Sequence, residues 1–303
     1  MVNEAQTAPS KLGGLTVWQL ARRVGREISE DEILDRAAAL SYYAVFALFP
    51  GLIFLAALLG FLPIHGTLDL FMRSLERVLP GDSASLVQKT LQEAMQASRA
   101  SLLSGGAVVA LWTASSGMAS VMTALNVAYH VGDARPWWKR RGLAILLTLG
   151  FSVLLVGALA LMVFGPKLVE ALAGRVGLGH AMEGVLTVLT ILVPIAFVLF
   201  GMALVYYFAP AIKQAWHWVT PGSMVATALW LAVSVGLRIY VKSFANYNTT
   251  YGSLGGAILL LLWLYLTGVV LLVGAEINSE IENAAAERGN RSAQRIEDRA
   301  AAA

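Results

Sequence analysis

The sequence predicts an all-α protein, a polytopic membrane bundle of six transmembrane helices accompanied by interfacial amphipathic helices, and three observations carry that prediction. Hydrophobic residues make up 57% of the 303-residue chain and charged residues only 14%, a balance that a soluble globular surface cannot keep in solution. Six long intervals hold no Asp, Glu, Lys or Arg, and each has room for the roughly 20 apolar residues that cross a hydrocarbon core of about 30 Å. Lys and Arg are also unevenly shared. With the amino terminus inside, fourteen fall on the cytoplasmic side and seven outside, with Arg238 inside a span, as the positive-inside rule requires.

The elements follow in order. Residues 15–28 place Leu15, Trp18, Ala21, Val24 and Ile28 about every three positions among Gln19, Arg22, Arg23, Arg26 and Glu27, the pattern of an amphipathic helix lying in the membrane interface. Ser29 and Glu32 have capping-box spacing and predict a new helix that runs through Asp35 and Arg36 into the first span. The spans are expected at 38–60, 105–129, 142–164, 185–208, 221–241 and 254–276. A polar tail of some 36 residues precedes the first of them, so no cleavable signal peptide is expected. Residues 62–100 form a long loop with two amphipathic patterns separated by Pro80 and Gly81, which predicts an external helical hairpin. The domain plan is therefore a cytoplasmic tail over 1–36, a membrane domain over 37–278 and a charged cytoplasmic tail over 279–303.

Packing and boundary signals are weaker. Gly106, Ala110 and Ala114 recur at intervals of four, as do Ser116, Ser120, Ala124 and Ala128, and Gly252 with Gly256 repeats the spacing. Such faces let helix backbones approach closely and make spans two and six candidates for the packed centre, although Gly and Ala are common in membrane helices anyway. Thr220 and Pro221 fit an N-cap and first helical position. Trp137, Trp138, Trp216 and Trp218 fit an aromatic belt.

Polar residues cost free energy in lipid unless they face protein or a water-filled cavity, so their grouping marks candidate sites. An inner cluster comprises Ser41, Tyr42 and Tyr43 of span one, Asn126 and Tyr129 of span two, and Glu276 with Asn278 of span six. An outer cluster comprises Arg238 and Tyr240 with the connector Asn246, Tyr247, Asn248, Thr249, Thr250 and Tyr251. Two bland readings stay open: Arg238, close to Lys242, can snorkel to the interface, and Glu276 can be an interfacial end residue. Pro50, before Gly51, and Pro194 fall near the centres of spans one and four. They either open a substrate pathway at a broken helix or only bend the helix.

These blocks resemble the YihY/BrkB family of bacterial inner-membrane proteins, whose members are often labelled ribonuclease BN. The resemblance rests on AAALSYYAVFALFPGLI at 37–53, WTASSGMASVMTALNVAY at 112–129, RPWWKRR at 135–141, TPGSMVATALW at 220–230 and NYNTTYGSLGGAILLLLWLYLTGVVLLVGAEIN at 246–278. It implies six spans, an inner-membrane location and internal termini, and it implies no settled activity.

The residues speak against the ribonuclease label. A hydrolytic metallonuclease needs several His and Asp ligands converging on metal, yet His65, His130, His180 and His217 form no metal-binding pair or run. No nucleophile with an adjacent base is visible, and the chain has no cysteine. No catalytic residue, cofactor or metal is therefore assigned, no nucleic-acid partner is expected, and membrane lipids are the expected partners. The leading expectation is a transporter or flippase-like protein for an envelope lipid or other amphiphile. The alternatives are a non-transporting envelope-assembly scaffold and an ion transporter.

Overall fold

The computed structural model describes residues 12–60, 85, 88–89, 107–176, 179–212, 219–243 and 253–288. Nearly all of the expected external hairpin, the connector that carries Asn246, Tyr247, Asn248 and Tyr251, and the chain beyond 288 lie outside the described residues. What is described is helical, without a strand: a short 3-10 turn at Leu12–Gly14, then α1 (Val17–Glu30), α2 (Ile33–Gly60), α3 (Ala107–Ala128), α4 (Trp137–Val176), α5 (Gly179–Phe208), α6 (Pro221–Ser243) and α7 (Ser253–Glu287).

Helices α2 to α7 occupy the six charge-poor intervals. Windows long and apolar enough to cross a membrane are Ile33–Leu52, Val108–Ala128, Trp137–Ala158, Pro221–Val241 and Gly255–Glu287, and α5 adds the shorter apolar stretch Ile195–Phe208. The fold is a helical membrane bundle. Pro50 does not break α2, which continues from Ile33 to Gly60 with the proline inside it. Likewise α5 passes Pro194 without a gap.

The start of the chain differs from expectation in one respect. Thr16 and Gln19 form a reciprocal capping box at the head of α1, whereas Ser29 lies inside the last turn of α1 and caps nothing ahead of α2. Asp31 closes α1 instead, and Glu32 takes a left-handed φ of 52° before α2 begins. That backbone reversal replaces the expected cap and folds α1 back against the bundle.

Helix α7 packs against α1, α2, α3 and α6, and α3 packs against both α2 and α4. The buried core joins Ile33, Ala37 and Leu40 of α2 with Met122 and Leu125 of α3, and with Val270, Leu272 and Ala275 of α7. Two glycines let α6 and α7 meet at backbone distance. A Cβ on Gly274 would strike the Tyr206 hydroxyl and lie 2.8 Å from the Ala226 Cβ, and one on Gly222 would strike the Gly274 carbonyl. Tyr206 of α5 donates to the Leu271 carbonyl at 2.8 Å, tying a third helix to the same place.

Helix α7 does not stop at 278 but runs on to Glu287, and α1 lies along this extension. Leu20 and Val24 pack with Ile277 and Ile281, and Arg23 pairs with Glu280 at 3.6 Å and Glu287 at 3.2 Å. Val17 in the first turn of α1 and Trp18 on the side away from Leu20 are exposed, as in an interfacial helix.

Candidate functional site

The end of the bundle covered by α1 collects polar groups that an apolar core does not need. Glu276 is 0% exposed, no N–H or O–H group donates to its carboxyl oxygens, and the group within hydrogen-bond reach is a second carboxyl, Asp31. Around it stand further carboxyls: Glu27 from α1, Asp31 from the α1–α2 turn, and Glu280 one turn along α7. A buried carboxylate without a donor is strongly unfavourable, so the group has to be neutralised by a proton, a cation or a ligand.

The sequence sets this up locally. Glu27 follows Leu20 and Val24 on the face that α1 buries, because spacings of four and then three keep side chains on one side of a helix. His130 enters through the end of α3. The Val131 amide donates to the Asn126 carbonyl at 2.8 Å and the His130 amide to the Val127 carbonyl at 2.6 Å, the paired bonds of a Schellman motif. His130 holds the left-handed position, φ 53°, that glycine normally takes. Its Nε2 lies 3.4 Å from Glu27 Oε2 and 3.6 Å from Asp31 Oδ2, giving an ion pair whenever the ring is protonated.

The neighbouring polar groups are unevenly satisfied. Tyr129 is fully buried, and its hydroxyl meets the Asn278 side chain with Glu276 close by. Asn278 accepts from the Gly222 amide at 2.9 Å, satisfying a free N–H in the first turn of α6, and the rest of its amide faces the Tyr129 hydroxyl. Ser279 is buried with an unpartnered hydroxyl.

Asn126 is differently placed, since both ends of its amide are used. It donates to Asp133 Oδ2 at 3.2 Å and accepts from the Ala211 amide at 2.7 Å, bracing the α3–α4 connector against the segment after α5. Arg135 completes that brace, bonding Asp133 at 2.8 Å and the Ala209 carbonyl at 3.0 Å. Burial raises the Asp133 carboxyl, but the hydrogen bonds and charge of Arg135, with Arg140 behind it, outweigh burial and hold it below the ordinary carboxylate value.

Of the residues singled out from sequence, the structure brings Tyr129, Glu276 and Asn278 together, with Asn126 one turn away. Ser41 is buried, with its hydroxyl donating to the Ala38 carbonyl at 2.7 Å. Tyr42 and Tyr43 face outward, 57% and 49% exposed, in ring contact with each other, and Tyr42 also with Phe46. Arg238 lies on α6 seventeen residues beyond Pro221, roughly 25 Å along the helix from the end that meets Asn278. Glu27, Asp31, Glu280 and His130 join the site without having been singled out. Among the described residues, no three His, Asp or Glu side chains are arranged to hold a metal ion.

A bundle of apolar helices with clustered carboxyls at one end defines a polytopic integral membrane protein with a polar interior at that end. The chain belongs to the family described as Virulence factor BrkB, which it matches over residues 24–297. Among its relatives, it is 34% identical over 245 residues to the ribonuclease-like protein YfkH of Bacillus subtilis (strain 168), covering 81% of this chain and 88% of that protein. It is 27% identical over 293 residues to a UPF0761 membrane protein of Stenotrophomonas maltophilia (strain R551-3), covering 89% of this chain and 65% of the relative's length. A UPF0761 membrane protein of Photobacterium profundum is 24% identical over 262 residues, 85% of this chain and 79% of the relative. No solved structure matches the chain.

Proposed function

We propose that the protein is a transporter or flippase-like protein for an envelope lipid or other amphiphile, sitting in a bacterial inner membrane with α1 and both termini towards the cytoplasm. The observation that carries the reading is Glu276: wholly buried, facing other carboxyls in place of a donor, and surrounded by Glu27, Asp31 and Glu280. Such a group weakens the fold at rest, and ionisable residues kept inside membrane helices at that expense line pathways and relays. Tyr129, Asn278 and Ser279 beside it supply the hydroxyl and amide groups that a polar head would meet on leaving water.

Ion movement is the second reading, favoured by the same four carboxyls, which suit a cation as well as a headgroup amine. One experiment separates the two. The purified protein is reconstituted into vesicles, and translocation of fluorescent phospholipids is followed by dithionite quenching beside cation flux with an internal dye. Lipid movement lost in Glu276→Gln supports the proposal. Cation flux lost in that variant, with no lipid movement in the wild type, replaces it with the second reading, and neither activity in the wild type rejects both.

A further inference from the structure

A second polar feature lies on the outside of the bundle, where α3 faces lipid. Trp112, Thr113, Ser116 and Thr123 are exposed on α3, at spacings that place them along one side of the helix. Two consecutive guanidinium groups from the start of α4 lie down on this stripe instead of reaching away from it. Arg141 donates from Nη1 to Ser116 Oγ at 3.2 Å and from Nη2 to the Trp112 carbonyl, and its Cζ sits 4.2 Å from the centre of the Trp112 ring. Arg140 donates to the Thr123 hydroxyl and to the Ala119 carbonyl at 3.4 Å.

These cations are poorly compensated. Among the described residues Arg141 has no carboxylate within ion-pair distance. The carboxylate paired with Arg140 is Asp133, 3.7 Å away and already held by Arg135 at 2.8 Å. The Nε atoms of Arg140 and Arg141 are both buried and without a hydrogen-bond partner. Arg141 also lies inside the apolar window that opens at Trp137, four residues or about 6 Å along the helix, and its partners belong to a window that spans the membrane on α3. An uncompensated cation facing lipid at that depth is unfavourable unless lipid itself supplies the anion. Beyond the arginines the same side of α3 turns apolar, with Val108 and Val109 exposed.

We infer that the furrow between α3 and the start of α4 binds the phosphate of an anionic phospholipid, Arg140 and Arg141 clasping the phosphate oxygens while an acyl chain lies along Val109 and Val108. Guanidinium forks suit phosphate oxygens, the Ser116 and Thr123 hydroxyls can turn to donate to them, and the polar-to-apolar order along α3 matches a lipid read from head to tail. The inference deepens the lipid-handling reading by naming its lipid class, and the site stands on geometry separate from Glu276.

The test is native mass spectrometry of the full chain in mild detergent, titrated with phosphatidylglycerol or phosphatidylcholine, with inorganic phosphate as competitor. The wild type is expected to retain phosphatidylglycerol over phosphatidylcholine, and the double variant Arg140→Gln, Arg141→Gln to bind it at least about tenfold more weakly. Lys139→Gln changes a neighbouring charge that lies over Trp138 and should bind as the wild type does. If the double variant does not accumulate, Arg141→Lys keeps the charge but loses the fork and the stack on Trp112, and a clear fall in phosphatidylglycerol retention supports the site.

Equal retention by wild type and variants overturns the inference, as does displacement of the lipid by millimolar phosphate, which marks a simple anion site. A wild-type dimer that the double variant dissolves also overturns it, because the furrow is then an interface between two copies. Failure of the inference is distinguishable from failure of the proposed function. Lipid translocation that persists after phosphatidylglycerol binding is lost removes the furrow and leaves the transporter reading standing. Lipid binding without translocation in the wild type does the reverse.

Discussion

Replacing Glu276 by methionine should make the protein more stable and inactive. Its carboxyl is 0% exposed and finds no donor, and leaving a buried polar group unsatisfied costs about 1–3 kcal/mol. The like groups Asp31, Glu27 and Glu280 around it add to that cost whenever two of them are ionised. Methionine has nearly the same length and no polar atom to satisfy, and a swap of similar volume in a packed interior costs less than about 1.5 kcal/mol. The balance runs from about zero to about 2 kcal/mol in favour of the variant, an upward shift of up to about a few degrees in thermal unfolding. The assay is thermal unfolding in mild detergent at neutral pH, paired with the vesicle assay. A Glu276→Met protein less stable than wild type by more than about 1 kcal/mol would show that the carboxyl has the partners this reasoning denies it, because only a satisfied group loses stability on removal.

Three further outcomes are expected. Gly274→Ala should lower stability by about 1–3 kcal/mol, since its Cβ would strike the Tyr206 hydroxyl and the Gly222 carbonyl region where α6 meets α7; Gly25→Ala on α1, with nothing within 4 Å, should gain up to about 1 kcal/mol, and equal effects in one thermal series would refute the close approach. His130→Gly should leave folding intact or improve it by about 1 kcal/mol by relieving the left-handed backbone, while activity falls because Glu27 and Asp31 lose their imidazole neighbour; a large loss of stability would contradict the Schellman assignment. Asp133, whose carboxyl is held below its ordinary value, contributes stability that is full above about pH 4 and lost as pH falls through the lowered value; Asp133→Asn should be weaker than wild type at neutral pH and lack that acid limb, and parallel stability profiles would refute it.

Much of the bundle is written in composition alone, because a membrane-spanning helix needs only length and apolarity and those are local properties. The head of α6 was legible for a similar reason. Thr220 and Pro221 act within one turn, and Thr220 exchanges hydrogen bonds with Ser223 at 2.9 and 3.1 Å. Tyr129, Glu276 and Asn278 could be picked out because a polar residue in an apolar run is conspicuous. Which way such a residue faces depends on neighbours that the run does not name. Tyr42 and Tyr43 sit beside buried Ser41 yet point outward, because α3 and α7 take the other side of α2. Of the carboxyls around Glu276, Glu27 comes from α1 and Asp31 from the turn after it, because the face of α1 that meets α7 runs through Leu20, Val24 and Glu27 and not along the Leu15, Trp18, Ala21, Val24 and Ile28 stripe of the sequence. A carboxyl in line with two buried aliphatic residues was the available signal.

The uninterrupted course of α7 also has a mechanical meaning. At 35 residues it measures roughly 52 Å, well beyond the thickness of a hydrocarbon core. It carries no proline and no break in its helical run, so it has no hinge at which movement could be absorbed. The same rod that carries Glu280 and Glu287 in its overhang meets Ala37 of α2 at Gly268 and α6 at Gly274, so a displacement of the overhang bears on both contacts. The Arg23 pairs that hold α1 to that overhang are partly open to solvent and therefore weaken with salt. Raising the ionic strength loosens the charged half of that strap, while Leu20 and Val24 against Ile277 and Ile281 keep α1 seated on the rod.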